Sequence, residues 1–459
     1  MPRVCSINGR LMAGTSKNFF QIAEEPCSPI LNMASDHLYT LMLLLPAESI
    51  LAFSLTCKKM YTIVASDTLW ECICRREWGT TSVDAIKSSL SSGCSNQLQS
   101  ALPWAMIYNQ VMKVESVTCY NLPRMEPFSE IPSPRASHSL NFISDWLVLF
   151  GGGCSGGRHL DDTWVAQITT SYPKSKSVKW RKVETGQPSG RFGHTCVAMG
   201  DQLILFAGIN DQGTRHNDTW LGHIVTDVVT GATLQWNQVT VTSSLPPPRG
   251  AHAACCLQNR KMLIHGGIGN NGTRLGDTWI LEISENLESA SWCEVRSNPS
   301  PPPCSGHTLT CTETKIVLFG GRGSGYDVMN DVWVLQTGAL KWVRVEMEVA
   351  GGVPLPRVGH TATRVMGGRV LIYGGEDADR HRKNDFWLMD VSGGAVKWRR
   401  LKGKGYRPHS RSFHRACSDM TGRCVFVFGG MVDGLIHPAE ASGLMFDNDC
   451  FSLRVFGFK

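Results

Sequence analysis

The chain has 459 residues, more than a single hydrophobic core usually organises, so two or more folded units are expected. A net charge of +6 is mild for this length and argues against a dedicated nucleic-acid surface, while 46 glycines and 14 tryptophans point to many tight turns and large packing anchors rather than a helical bundle. No apolar leader opens the chain, and its longest apolar stretch, residues 38–55, is broken by Pro46 and Glu48, so a soluble protein of the cytoplasm, the nucleus or both is expected, with no membrane partner.

In chain order, residues 1–32 read as a disordered segment. Across residues 33–79, Leu38, Leu41, Met42 and Leu45 follow helical spacing, Pro46 stops that helix, and Glu48 sits in the first turn of the next. Thr56-Cys57-Lys58-Lys59-Met60 and the aromatic pair Trp70 and Trp78 come next, completing a compact set of short helices. Serine enrichment predicts a flexible segment over 80–100. Trp104, Ile107, Tyr108 and Val111 then predict a helix over 102–114, placed to pack the helical module against the C-terminal part of the chain.

From about residue 130 one pattern returns six times: Arg-x-x-His, an apolar run ending in a small pair, an Asp two residues before a Trp, and a second Trp. The histidines are His138, His194, His252, His307, His360 and His414, and their spacing near 55 residues marks a repeat architecture. Runs such as Leu147-Val148-Leu149-Phe150 before Gly151-Gly152 are short and do not alternate, as in strands buried on both faces. Four strands per unit, none able to bury both faces alone, describe the blade of a β-propeller. The sixth unit has Asp449 and Phe451 at the third-strand positions and then ends without a second Trp. An earlier segment must supply its fourth strand, because an open edge invites aggregation. Residues 115–122 are strand-like, and Tyr120 precedes His138 by 18 residues, as Trp342 precedes His360, within the 14 to 18 seen for the second tryptophans, so this segment is expected to close the ring over 115–459.

In such a meander the loops after second strands and the entries to first strands share one face. The repeated Arg135, Arg191, Arg249, Arg357 and Arg411 lie there, with Cys304 in the fourth unit, as do Asp162, Asp218, Asp277, Asp331 and Asp385. An Arg–Asp pair can tie adjacent turns, or the arginines can read a partner. The repeated His and Trp residues read as packing, since every blade needs them equally. The sixth unit carries nine extra residues between its Gly pair and Asp449, an irregular loop over 431–446 that is a candidate binding element. Closure by 115–122 brings the chain in from the opposite face and leaves the arginine face open.

The 17 cysteines show no CxxC pair and lie mostly in apolar runs, so reduced, buried thiols are expected rather than disulfides or zinc ligands. Glu376, Asp377, Asp379 and His381 come closest to a metal-ligand set but read as a solvated charged turn, and no metal is expected. Lys397, Arg399, Arg400, Lys402, Lys404 and Arg407 form a basic run that reads as an exposed outer strand. No phosphate loop, nucleophile elbow or HExxH is present.

The six units resemble the kelch repeat, and the order of features over 33–78 resembles an F-box, except that the family's opening Leu-Pro is replaced by Met33-Ala34. The resemblance implies an all-β six-bladed kelch propeller behind a small all-α F-box, acting as a non-catalytic substrate receptor of a cullin-based ubiquitin ligase. It assigns Leu38, Leu41, Leu45, Pro46, Ile50, Leu51, Cys57 and Lys58 to contact with a Skp-type adaptor or to positioning the helices that make it. It also raises the arginines Arg135, Arg191, Arg249, Arg357 and Arg411 as binders of acidic segments of a protein substrate. Some plant relatives carry a flavin-binding light-sensing domain ahead of the F-box; with about thirty residues there, no flavin or other cofactor is expected. The alternatives are a kelch interaction scaffold outside the ligase pathway and a metal-dependent propeller enzyme with Glu376 in its site.

Overall fold

The computed structural model describes residues 29–91, 102–125, 129–171, 175–227, 231–257, 260–312, 315–349, 351–433 and 444–456. The expected disorder of residues 1–32 falls, except for 29–32, outside them. The chain divides into two compact units, Met1–Leu69 and Trp70–Lys459.

In the first unit a 3-10 turn, Pro29–Asn32, precedes three short helices, α1 (Ser35–Met42), α2 (Ala47–Ser54) and α3 (Lys58–Val64). Leu38 and Met42, one turn apart, bury the same face of α1. Pro46 and Cys57 hold extended backbone at the N-caps of α2 and α3, so each helix starts afresh in a new direction. Ile50, Met60 and Ile63 supply the remaining core.

A fourth helix, α4 (Asp67–Trp78), runs across the division between the units, and α5 (Thr80–Ser91) comes after it. Helix α5 overturns the reading of 80–100 as a flexible linker: Val83 and Ile86, three residues apart, are fully buried, and packing of that stripe outweighs the weak helix preference of serine. Residues 92–100 lie outside the described residues. Helix α6 (Trp104–Met112) buries Trp104, Ile107, Tyr108 and Val111.

The second unit is a six-bladed propeller. Its first blade is the meander Ser139–Ile143, Trp146–Phe150, Thr163–Ser171 and Ser175–Val183, in that order. Each later blade repeats the order, starting from Thr195, Ala253, Thr308, Thr361 and Arg415. The glycine pair at the end of the second strand is required by space as well as by φ. Gly151 and Gly152 have φ of +65° and +102°, and an added Cβ would meet the Arg191 carbonyl at 2.9 Å and the His138 Cβ at 2.8 Å.

One aromatic sandwich recurs between blades. The Phe ending a second strand lies between the repeated His and the second Trp of the following blade: Phe150 between His194 and Trp236, Phe206 between His252 and Trp292, Phe319 between His360 and Trp398. These rings are all buried, which makes them joints between the blades that carry them.

Closure comes from Ser116–Asn121, which pairs antiparallel with Leu444–Arg454 and parallel with Lys397–Gly405, so the sheets of blades five and six run on through it. The register differs by one residue from the spacing argument. Second tryptophans stand opposite the residue two beyond the first, as Trp180 does opposite Ala166. The corresponding Leu453 faces Cys119, which is 2 % exposed, whereas Tyr120 is 44 % exposed. The closing strand thus carries no aromatic at the second-Trp position; nearby Tyr406, after the fourth strand of blade five, donates its hydroxyl to Asp449 at 2.7 Å with its ring 6.0 Å from Phe451.

Helix α6 docks by its C-terminal carbonyls. Arg369 Nη1 donates to the Val111 carbonyl at 2.7 Å and Arg399 Nη1 to those of Met112 and Val114 at 2.9 and 3.0 Å, a cationic cap on the negative helix end. Arg364 donates to the Trp78 carbonyl at 3.0 Å, and Trp78 stacks on Tyr108. These contacts fall at the first-to-second and third-to-fourth strand hairpins of blade five, opposite the arginine face. The six first strands surround a central channel of about 770 Å³, with the α4–α5 junction at Trp78–Ser82 against one end.

Candidate binding face and channel mouth

The repeated arginines are placed on the predicted face, but they do not look outward. Arg135, Arg191, Arg249, Arg357 and Arg411 are at most 1 % exposed. Arg135 donates from Nη1 and Nη2 to the two oxygens of Asp162 at 2.6 and 2.8 Å, from Nη1 to the Gly151 carbonyl at 3.1 Å, and from Nε to the Ser133 carbonyl at 3.0 Å. The same set recurs for Arg191 with Asp218, Arg249 with Asp277 and Arg357 with Asp385, and each of these aspartates also accepts the indole N–H of the Trp two residues on at 2.7 Å. Arg411 uses Asp447 and Asp449 and lies over the Phe451 ring. Burial by itself raises the Asp162, Asp218, Asp277 and Asp385 carboxyls, but the arginine hydrogen bonds and charge, with the indole N–H, overcome it and hold them below the usual carboxylate range. With their donors already engaged and no exposed surface, these five arginines tie turns together; the assignment of substrate binding to them is corrected accordingly. Removing Arg191 leaves the largely buried Asp218 carboxylate with the Trp220 indole N–H but no cation, and takes a fully packed side chain out of the turn, so Arg191→Ala is expected to cost about 3 kcal/mol. A chemical-denaturation series against the wild type checks this, and a loss under about 1 kcal/mol, the range of surface pairs, would refute it.

On the same face as the buried arginines, just after each glycine pair, lies a set of positions that differ from blade to blade. The residue after each glycine pair bridges to a residue leading into the third strand: Gly153 to His159, Ile209 to Arg215, Ile268 to Arg274, Arg322 to Val328, Glu376 to Arg382, and Met431 to Phe446. Three arginines on blades two to four retain unused donors. Arg215 gives Nη1 to the Gly213 carbonyl, but its Nε is buried without a hydrogen-bond partner. Arg274 gives Nε to Ser305 Oγ at 3.2 Å and lies 4.5 Å over the ring of Tyr326, itself 71 % exposed. Arg322 keeps Nε and Nη2 without hydrogen-bond partners, its nearest carboxylate being Glu376 Oε1 at 3.9 Å. Arg382, by contrast, is consumed by Asp433, Glu376 and Ser412. Burial raises the Glu376 carboxyl against the hydrogen bond from Ser412 and the charges of Arg382 and Arg322. The arrangement suits an incoming carboxylate-bearing segment, which would supply the acceptors that Arg215, Arg274 and Arg322 lack. A search for positions that break the repeat would have found them in the sequence; a search for positions that obey it could not.

The irregular sixth-blade loop begins as an extension of its hairpin, with Met431 opposite Phe446, Val432 opposite Met445 and Asp433 opposite Leu444. The rest of that candidate element, 434–443, lies outside the described residues. Asp377, Asp379 and His381 bring ligand atoms within 4.8 Å of one another, but Asp377 already accepts from Lys383 Nζ and from the backbone N–H groups of Asp379 and His381, the pattern of a closed polar turn. Glu376 is not in that cluster.

Of the residues assigned to adaptor contact in the first unit, Leu41, Pro46, Leu51 and Lys58 are exposed, Leu45 and Cys57 are half-buried, and Leu38 and Ile50 are fully buried and position the helices. Leu44, Leu55 and Tyr61, at 76 %, 87 % and 62 % exposure, were missed and extend the exposed apolar set formed by Leu41 and Leu51. Apolar exposure on this scale in so small a unit marks an interaction surface. Among the described residues no helix is long and apolar enough to cross a membrane.

Comparison with known proteins places both units. An F-box domain model matches residues 30–72, and a KLHDC2/KLHL20/DRC7 Kelch-repeats domain model matches 105–321, 223–351 and 306–455. An F-box/kelch-repeat protein of Arabidopsis thaliana is 52% identical over 94% of this chain and 94% of its own length. Adagio-like protein 1 of Oryza sativa subsp. japonica is 27% identical over 90% of this chain, which spans 62% of that protein. Host cell factor 2 of Homo sapiens is 29% identical over 58% of this chain and 34% of its own length.

Proposed function

Because the chain belongs to the F-box/kelch-repeat family, we propose that it is the substrate-recognition subunit of a cullin-based SCF-type ubiquitin ligase. The observation that carries this reading is the exposed apolar set Leu41, Leu44, Leu51, Leu55 and Tyr61 on the short helices that match the F-box. A Skp-type adaptor covers that set and links the chain to the cullin. The propeller holds a protein substrate at the channel mouth, where Arg215, Arg274 and Arg322 take an acidic segment with Tyr326 beside them. The subunit does no chemistry; it raises the effective concentration of substrate near activated ubiquitin. The free thiols of the described cysteines fit work in the reducing cytoplasm or nucleus.

Capture of a purified Skp-type adaptor tests the reading. Leu44→Asp and Leu51→Asp place unpaired charges in the proposed interface and are expected to weaken capture at least tenfold, since each such charge costs more than about 1.4 kcal/mol. Both positions are exposed, so melting is expected to stay at the wild-type midpoint, which Ile50→Ala would not allow. Wild-type protein that fails to bind the adaptor places the chain outside the ligase pathway. The substrate arm uses Arg274→Glu with Arg322→Glu: retention of acidic peptides is expected to disappear while adaptor capture persists.

A further inference from the structure

The repeat is broken once at the end of the second strand of blade three and once at the entry of blade four, and the two breaks meet in space. Cys304 stands where the other five blades have the buried arginine, and His265 stands where the other five second strands end in Phe150, Phe206, Phe319, Tyr373 or Phe428. Both side chains are 0 % exposed, and with the repeated His307 at 5 % they bring one ligand atom each to within 4.8 Å of one another. Cys304 Sγ lies 3.3 Å from His307 Nδ1. That matches the edge of a tetrahedral zinc site, for which bonds of about 2.3 Å to sulfur and about 2.0 Å to nitrogen give roughly 3.5 Å.

One nitrogen on each of the two rings is left without a well-aligned hydrogen bond. His265 Nδ1 shares a hydrogen bond with Thr278 Oγ1 at 2.9 Å, and that hydroxyl also accepts Trp342 Nε1–H at 3.1 Å, fixing the ring from behind. His265 Nε2 and His307 Nε2 are buried and form no well-aligned hydrogen bond, although the Pro302 backbone approaches the His265 ring and the His265 backbone the His307 ring. A metal-bound imidazole is commonly oriented by such a bond to its other nitrogen. His252, His360 and His414 have a Thr hydroxyl on Nε2; for His307 the equivalent residue is Ala253, and His138 and His194 also lack a partner on Nε2, but only His307 has a thiol and a second imidazole beside it. The Arg–Asp tie is also absent here: Asp331 pairs with the exposed Arg344 instead.

We propose that His265, Cys304 and His307 form a zinc site that joins the second strand of blade three to the entry of blade four, replacing the missing arginine tie. One thiolate and two neutral imidazoles suit Zn(II), and water from the central channel, which His307 lines, completes the coordination. On binding, the Zn–S bond forms as the Cys304 S–H bond breaks, and the proton leaves to solvent.

The full chain, stripped with chelator and titrated with Co(II) and then Zn(II) chloride, provides the test. The expected result is one equivalent of Co(II) with a near-ultraviolet thiolate-to-cobalt band, bleached by one equivalent of Zn(II), and a melting midpoint that rises with metal. Cys304→Arg and His265→Phe install residues that other blades already carry at these positions, so both are expected to fold and to lose the band and the bound equivalent. Cys304→Ser keeps the pocket small and makes the same measurement if either larger side chain disturbs folding. A wild-type chain with no band, or a band that survives at Cys304→Arg or Cys304→Ser, overturns the proposal.

Discussion

A chain beginning at residue 123 is expected to lose cooperative melting and to elute as aggregate, while one beginning at residue 102 stays monodisperse. The difference between them is α6 and the closing strand Ser116–Asn121. That strand buries Val117 and Cys119, and the adjoining Leu122, at 0 %, 2 % and 3 % exposure. It pairs four residues with each of two neighbours, Lys402–Gly405 on one side and Phe451–Arg454 on the other. Apolar burial of about 1–2 kcal/mol per side chain and about 1 kcal/mol per backbone hydrogen bond already approach the 5–15 kcal/mol by which a domain is usually stable. Removal also leaves Lys397–Gly405 and Leu444–Arg454 each with a newly unpaired edge, and such edges recruit other chains. Calorimetry and size-exclusion chromatography on both truncations decide the matter. A chain from 123 that melts cooperatively near the wild-type midpoint would sink the account of closure.

The second large effect is acid sensitivity beginning well above the carboxylate range. His138, His194, His252, His265, His307, His360 and His414 are buried at the inner ends of the blades, and burial drives all seven imidazoles below their ordinary value, His265 to about 4 and His360 to about 3. Nearby cations push several the same way: Arg135 and Arg415 act on His138, Arg191 and Arg415 on His194, Arg249 on His252, and Arg411 on His414. Asp277 and Asp385 oppose at His265 and His360 without reversing the direction. The folded protein therefore keeps these rings neutral while the unfolded chain protonates them below about pH 6.5. The unfolded state binds more protons, so stability falls as pH falls from that point, by about 1.4 kcal/mol per pH unit for each ring until its folded value is reached. Several rings acting together exhaust an ordinary stability within one to two pH units. The depressed carboxyls of Asp162, Asp218, Asp277 and Asp385 contribute in the same direction only below about pH 4, where their stabilisation is lost as pH falls further. Thermal midpoints from pH 8 to pH 5 are expected to fall steeply below 6.5. A flat profile down to pH 5 would contradict neutral, buried histidines.

Much of the architecture is a matter of local pattern and was therefore readable. The six His positions, the Gly pairs, the paired Trp residues and the unmatched last unit each depend on chain neighbours within one blade, and period alone places them. The three short helices arise from Leu38, Met42 and Pro46 in the same way. Other features depend on which distant residues meet, within a blade or between blades, and period is silent on that. Arg135 and its equivalents stand on the predicted face, yet only the approach of Asp162 and its counterparts from 27 or 28 residues away decides that they are buried ties. Cys119 rather than Tyr120 faces the core because strand register is set by hydrogen bonds to Leu453, and a shift of one residue exchanges the faces. Helix α5 arises where two apolar side chains find a tertiary partner that serine content does not reveal. The donor-rich mouth at Arg215, Arg274 and Arg322, and the convergence of His265 with Cys304, join residues that no repeat unit contains together. Order within a blade is written in the chain; contact between blades exists only once the ring has closed.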